Sequence, residues 1–398
     1  LAAPFYAPYP ETTVAVTGTN GKTSVAELAR QLWTAEGKRA ASVGTLGIIG
    51  SGATRLSGLT TPDIVTFLSE AGTLARAGIT HLAFEASSHG LAQYRTEGLP
   101  VKAAAFTNLS RDHLDYHGSM EGYFAAKLRL FTEVVDEGGT AVLWLDRQAA
   151  GADYAGRVLA AAKARGLRTL VVGPDGHDLR LLAARPTAHG QQLALEVAGR
   201  PVDVELPLIG GYQAANALVA AALLWATGSD PLATLGHFAT LSGVRGRLER
   251  AVVTPAGAPV YVDYAHTPDG IVAACAALRP HTSGRLILLF GCGGDRDRGK
   301  RPEMGRVAVA GADLVFVTDD NPRSEDAALI RAQIMAAAPG AIEIAGRRPA
   351  IAAALAAARA GDVVLLAGKG HEQGQIVGDR VLPFDDAEVA REIAGEMA

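Results

Sequence analysis

The run Thr17-Gly18-Thr19-Asn20-Gly21-Lys22-Thr23 constrains the fold of this chain more than any other stretch. An apolar segment, Thr13-Val14-Ala15-Val16, precedes it, and a helix-patterned segment, residues 24–36, follows it. Strand, glycine turn and helix in that order build a cradle for phosphate. Backbone N–H groups and the helix N-terminus face the anion, Lys22 adds a positive charge, and Thr23 offers a hydroxyl to Mg²⁺. The usual loop of this kind has four residues between its first glycine and the Gly-Lys pair; here there are two. The alternative is a glycine turn that merely ends a strand, and the flanking pattern argues against it.

A chain of 398 residues exceeds one ordinary hydrophobic core, so two domains are expected. With 48% hydrophobic and 20% charged residues it is globular, not disordered. A net charge of −4 gives no electrostatic case for nucleic acid. Cys275 and Cys292 are too few for a disulfide scaffold and suit a reducing cytoplasm. No apolar run has membrane-spanning length and no signal pattern opens the chain, so a cytoplasmic location without membrane insertion is expected. The first residue is Leu1, which suggests a processed or trimmed N-terminus. Lysine is scarce, seven against thirty arginines. Lys22, Lys127, Lys300 and Lys369 lie inside glycine-rich or His/Asp-rich motifs, which draws attention to them.

Strand and helix alternate along residues 12–245, with strands expected at 12–17, 80–85, 102–107, 140–145 and 168–172. Helices are expected at 22–36, 61–77, 121–134, 152–165 and 212–227. That alternation means a mainly parallel sheet with helices on both faces. Residues 177–206 alternate polar and apolar over short runs and read as hairpins decorating the domain. Gly243-Val244-Arg245-Gly246 reads as a hinge. A second α/β series follows, with strands near 248–254, 259–263, 285–290, 313–318 and 363–367. The fold class expected is α/β: two doubly wound domains, 1–245 and 246–398, the first like a P-loop ATPase and the second Rossmann-like.

Polar clusters fall where those strands end. Glu85 closes the strand His81–Phe84 beside the phosphate loop, where a carboxylate can hold Mg²⁺ or a serine cluster can cap the next helix. The segment from Asn108 to His117 packs His113, His117, Asp112 and Asp115 together, suiting metal, phosphate or a solvated loop. Lys127 lies on an amphipathic helix, where a surface lysine is the ordinary reading. Asp263 precedes a helix that starts near Pro268 and suits a ribose hydroxyl, a metal or a cap. Glycines 291, 293, 294 and 299 surround Arg296 and other cations after another strand. Arg323, in Asp320-Asn321-Pro322-Arg323, offers a planar fork to a carboxylate. Gly368-Lys369-Gly370-His371-Glu372 is a glycine-rich turn whose carboxylate can receive an amino group.

Taken in order, these motifs resemble the Mur ligases of peptidoglycan synthesis along residues 17–386. Thr60-Thr61-Pro62-Asp63, Asn108 to Gly118 and Asp263 to Pro268 resemble the branch that adds the third amino acid. Asp320-Asn321-Pro322-Arg323 resembles the diaminopimelate-using branch rather than the lysine-using one. The resemblance implies an ATP- and Mg²⁺-dependent amide ligase that joins meso-diaminopimelate to UDP-N-acetylmuramoyl-L-alanyl-D-glutamate through an acyl phosphate. It also implies a cytoplasmic monomer. Gly18, Thr19, Asn20, Gly21, Lys22 and Thr23 would hold the ATP phosphates, Asn216 the adenine, and Arg247 and Asp263 would reach ATP from the second domain. Lys22, Glu85, His113 and Lys127 would be catalytic. Thr23, Glu85, His113 and a carbamylated Lys127 would hold metal. Thr60, Thr61, Ser87, Gln93 and Arg95 match contacts to the nucleotide dipeptide. Arg296, Asn321, Arg323, Gly368 and Glu372 match the diaminopimelate pocket.

Arginines and a glutamate suit the distal carboxylate and ammonium of diaminopimelate, and lysine would leave the arginines unpaired. The chain departs from the family in four places. Only 16 residues precede Thr17, so the domain that grips the uridine nucleotide is expected to be absent. Trp144-Leu145-Asp146-Arg147 replaces Asn-Ala-Asp-Asp, Val244-Arg245-Gly246-Arg247 replaces Val-Pro-Gly-Arg, and Ala86 stands where valine is common. Two alternatives stay open: a related ligase adding lysine or glutamate, and a nucleotide-binding core without catalysis.

Overall fold

β1 (Thr12–Thr17) is six residues long and buried throughout. A strand buried on both faces belongs in the middle of a sheet covered on both sides. The computed structural model describes residues 3–50, 59–149, 151–187 and 190–397. It divides into two units, one reaching to Ser242 apart from a short piece at Pro186, the other running from Gly243 to the C-terminus.

The first unit is built on a ten-stranded sheet among the described residues. Its parallel core joins β2 (Ala40–Gly44), β4 (His81–Glu85), β1, β5 (Ala103–Phe106), β6 (Thr140–Trp144) and β7 (Arg168–Gly173), in that spatial order. β3 (Gly47–Ile49) adds an antiparallel edge to β2. The segment expected to form decorating hairpins does contain one, β9 (Gly190–Val197) pairing antiparallel with β10 (Arg200–Leu206), but it extends this same sheet, with β8 (Leu179–Thr187) parallel to β7. The helix Lys22–Ala35 buries Val25, Leu28, Ala29, Leu32 and Trp33 and packs on β2, β4 and the helix Gly211–Ala226.

Register places the crevice. Val16 lies opposite Glu85, and Thr17 lies opposite Phe106. Gly18, Ala86 and Thr107 therefore leave the sheet side by side, at the C-terminal ends of its strands.

The second unit has a six-stranded sheet in the order β11-β12-β16-β13-β14-β15. These are Glu249–Val253, Pro259–Asp263, Val363–Ala367, Leu286–Phe290, Leu314–Val317 and Ile342–Glu343. Only β11 pairs antiparallel. A separate hairpin joins β17 (Gly374–Val377) and β18 (Arg380–Pro383). Arg347 and Asp386, at the starts of two helices, are both fully buried and meet at 2.6 and 2.7 Å. The same guanidinium donates to Ala367 O at 2.9 Å and Asp319 O at 3.4 Å, tying the ends of β16 and β14 together. Among the described residues no helix is long and apolar enough to cross a membrane.

Removing one member of a buried pair strands the other charge. Asp386→Ala is expected to cost about 3–5 kcal/mol of unfolding free energy, read by denaturant titration. A loss under about 1 kcal/mol would show that the pair does not hold this unit together.

Candidate active site

The two-residue shortening of the phosphate loop is compensated by the loop after β5. Thr19 N donates to Asn108 O at 2.9 Å and Asn20 N to Asn108 Oδ1 at 3.0 Å. Thr107 Oγ1 donates to Asn20 O at 2.6 Å, and Ser110 N to Thr19 Oγ1 at 3.0 Å. The fit is tight enough to need glycine. Gly18 has φ +147°, and a Cβ there would overlap the Thr107 hydroxyl; Gly21 has φ +87°, and its Cβ would meet Asn216 Oδ1 at 2.5 Å. Thr107 was not singled out from the sequence; a hydroxyl at a strand end is its only signal. Asn216, buried in the helix Gly211–Ala226, lies against the loop itself.

Two lysines converge on one carbonyl. Lys22 Nζ donates to Gly18 O at 2.9 Å and Thr19 O at 2.8 Å, and Lys127 Nζ donates to the same Gly18 O at 2.7 Å. Lys127 is fully enclosed, not the surface lysine of the ordinary reading, and its amine stands 4.5 Å from the Tyr123 ring centroid. Burial, then the neighbouring Lys22, hold its pKa well below that of a free lysine. The sequence carried a signal for this: Lys127 is four residues after buried Tyr123, on the same helical face.

Glu85, 2% exposed, sits at the start of the helix Lys22–Ala35. Thr23 Oγ1 donates to its Oε2 at 3.0 Å and Thr45 N to its Oε1 at 2.7 Å. A hydroxyl and a carboxylate this close are the hard oxygen donors that Mg²⁺ accepts beside phosphate oxygens and water. Among the described residues no group of three or more His, Cys, Asp or Glu is arranged to hold a metal. The oxygens of Thr23 and Glu85, side by side at the phosphate loop, fit a cation that also binds phosphate.

His113 has a left-handed backbone, φ +52°, and sits 3.4 Å from Asp112. Its ring lies 4.9 Å from His89 and 6.1 Å from Tyr123. Burial, then His89, Lys22 and Lys127, lower its pKa despite Asp112. No described contact joins it to Thr23 or Glu85.

The residues expected at the nucleotide dipeptide form one cluster beside Glu85. Thr61 Oγ1 donates to Glu85 O at 2.8 Å and Ser87 Oγ at 3.0 Å. Arg95 donates to Thr61 O at 2.9 Å and to Gln93 Oε1; Gln93 reaches Tyr116 Oη at 3.0 Å, and Thr60 Oγ1 lies 3.1 Å from Thr45 Oγ1. Ser87 also caps the short helix that follows.

In the second unit, Asp263 at the end of β12 accepts from Leu248 N at 2.8 Å, and Arg247 lies over Tyr264 at 4.7 Å. Gly368, φ +110°, follows β16, and a Cβ there would meet the Asp320 carboxylate at 2.8 Å. Asn321 Nδ2 donates to Glu372 Oε2 at 2.8 Å. Arg323, φ +53°, donates from its backbone to Ile376 O at 3.1 Å and from Nη1 to Gly294 O at 2.9 Å. Arg301, fully buried, grips Glu325 at 2.8 and 3.0 Å and pushes that carboxyl down to about 2, which moors the glycine-rich loop to the Arg323 segment. Arg296 is exposed and makes no described contact. Asn321, Arg323, Gly368 and Glu372 are thus gathered at one sheet edge, and Arg296 is not joined to them.

A shortened phosphate loop on one doubly wound sheet, followed by a second doubly wound unit, defines a P-loop α/β protein. A family model described as the Mur ligase middle domain matches residues 16–224, and one described as the Mur ligase glutamate ligase domain matches residues 246–370. The chain belongs to the Mur ligase family. It is 57% identical over 396 residues to a Zymomonas mobilis protein named UDP-N-acetylmuramoyl-L-alanyl-D-glutamate–2,6-diaminopimelate ligase, covering 98% of this chain and 80% of that protein. A Caulobacter vibrioides protein of the same name is 53% identical, with 99% and 82% covered. A solved structure of a ligase of that name matches with a TM-score of 0.69 at 35% identity, covering 97% of this chain and 79% of that one. The fold is shared more widely: a Mycobacterium tuberculosis folylpolyglutamate synthase complexed with ADP has a TM-score of 0.76 at 21% identity, with 99% and 92% covered.

Gly18→Ala should push the loop off the β5 segment. Triphosphate affinity by calorimetry is expected to fall about tenfold or more, with the far-ultraviolet dichroism unchanged. Undiminished affinity would mean that this turn does not shape the anion site.

Proposed function

We propose that this chain is an ATP-dependent ligase that forms an amide between meso-diaminopimelate and UDP-N-acetylmuramoyl-L-alanyl-D-glutamate. The observation that carries this reading is the crevice itself: Lys22 and Lys127 on one carbonyl beside the Thr23–Glu85 pair. It occurs in a chain 57% identical to a ligase named for that reaction. The first unit is assigned to ATP, through Gly18 to Thr23 and Asn216, and the second to the amino acid, with Arg247 and Asp263 assigned to nucleotide contact.

The D-glutamyl side-chain carboxylate attacks the γ-phosphorus of ATP, ADP leaves, and an acyl phosphate forms. The diaminopimelate amine attacks the acyl carbon, phosphate leaves, and the nitrogen loses its proton. Lys22 offsets negative charge that gathers on the phosphate oxygens. Thr23, Glu85 and His113 would hold Mg²⁺, which would supply further charge compensation to the triphosphate. Thr60, Thr61, Ser87, Gln93 and Arg95 orient the nucleotide dipeptide. Arg323 and Arg296 take the distal carboxylate of diaminopimelate, and Glu372 takes its ammonium, on a floor made by Asn321 and Gly368.

Lys127 is assigned a carbamate. Burial and Lys22 lower the pKa of its enclosed amine, which in its neutral form adds to carbon dioxide and releases a proton. The product is an anion beside the Lys22 ammonium, and its oxygens would hold a second Mg²⁺. The sign of the pH effect follows. A lowered lysine pKa leaves the amine neutral above it, so label from isotopic bicarbonate should enter Lys127 at neutral pH. Incorporation should fall as the pH drops through that depressed value. Incorporation absent at every pH, by mass and carbon NMR, would remove the carbamate.

Lys22→Ala is expected to abolish ADP formation, and near-normal turnover in that variant would overturn the loop assignment. Arg323→Ala should raise the KM for diaminopimelate about tenfold or more while the KM for ATP stays within about twofold. Equal loss of both would count against the pocket.

A further inference from the structure

Lys369 is wholly enclosed in the second unit, and no role above uses it. Glycines flank it. A Cβ on Gly370 would run into Tyr264, and one on Gly368 into the Asp320 carboxylate, so the backbone is pressed against the sheet edge and the lysine turns inward. An enclosed ammonium has to spend its three donors on acceptors. Lys369 Nζ donates to Gly374 O at 2.6 Å, to Glu372 Oε2 at 3.1 Å and to Asn321 Oδ1 at 3.3 Å. Asn321 closes the ring: its Nδ2 donates to the same Glu372 oxygen at 2.8 Å, and its Oδ1 accepts from Ile376 N at 2.9 Å.

This network treats the two oxygens of Glu372 differently. Oε2 takes both bonds, and no bond from a described residue reaches Oε1. The Glu372 side chain keeps 31% of its surface while its anchor Lys369 keeps none. A carboxylate pinned by one oxygen has little rotamer freedom left to lose, and the other oxygen is aimed before a ligand arrives.

We infer that Lys369 is a positioning residue for amino-acid selection: by holding Glu372 through one oxygen, it presents the other to the ammonium at the far end of the incoming diamino acid. This rests on the reading, given above, that Glu372 receives that ammonium. The same ring fixes Asn321, so the two loops after β14 and β16 keep one spacing, and the distance between the carboxylate-binding arginine and the ammonium-binding glutamate is set by a side chain that touches neither end of the substrate.

The test compares meso-diaminopimelate with 2-aminopimelate, the same diacid without the distal amine, on the wild type, Lys369→Met and Glu372→Gln. The wild type should prefer diaminopimelate. In Lys369→Met the KM for diaminopimelate should rise about tenfold or more, with those for 2-aminopimelate and ATP within about twofold, so the preference collapses. If Lys369→Met keeps the preference while Glu372→Gln loses it, the positioning role is wrong and the Glu372 reading stands. If Glu372→Gln and the wild type discriminate equally, the Glu372 reading fails and the inference falls with it. If every KM rises together, Lys369 holds the fold only, which overturns the inference. Should Lys369→Met not fold, Lys369→Gln, which keeps an N–H donor at shorter reach, is read by the same comparison.

Discussion

The arrangement of the first unit depends on one uncomfortable fact: a lysine amine lies out of reach of water. An isolated ammonium in a protein interior costs several kcal/mol. Among the described residues Lys127 has a single hydrogen-bond acceptor, Gly18 O, and Lys22 already uses it. Burial and the Lys22 charge lower its pKa and so favour the neutral amine. The phosphate loop, the helix that carries Lys127 and the Tyr123 ring are fitted around that amine, and Gly18 has to lack a side chain for the carbonyl to be there. A site that lowers an amine's pKa next to a phosphate cradle is suited to converting it to an anion.

The second unit solves a related problem differently. Of seven lysines in the chain, Lys127 and Lys369 are the buried ones. Lys369 is satisfied through a carboxylate, an amide and a backbone carbonyl, and it gives rigidity rather than reactivity. Arg347 and Arg301, also fully buried, moor the neighbouring loops by the same logic. The loops after β13, β14 and β16 are thus tied to buried cations, while exposed Arg296 makes no described contact.

Much of this was legible in the residues. The parallel core strands and the phosphate loop stand out because buried strands are continuous apolar runs and glycine marks the turn. The short strands β2 and β3 were missed, since three to five residues interrupted by Gly44 and Gly47 carry too little periodicity. Alternation in residues 177–206 signalled hairpin strands but not that they extend the main sheet, because edge pairing is decided by what the neighbouring sheet leaves open. The motif residues Asn321 and Glu372 were found, but not that Lys369 joins them. A turn has no repeat, so nothing in the sequence tells which way a side chain in Gly-Lys-Gly points. Arg296 had the charge for its assignment but lacks a neighbour that would fix it.

The most direct test of the account is the mass of the product made from ATP, Mg²⁺, UDP-N-acetylmuramoyl-L-alanyl-D-glutamate and either meso-diaminopimelate or L-lysine. The account predicts phosphate release and a nucleotide tripeptide with diaminopimelate and neither with lysine. ATP binding without product from diaminopimelate, or an equal yield from lysine, would contradict it.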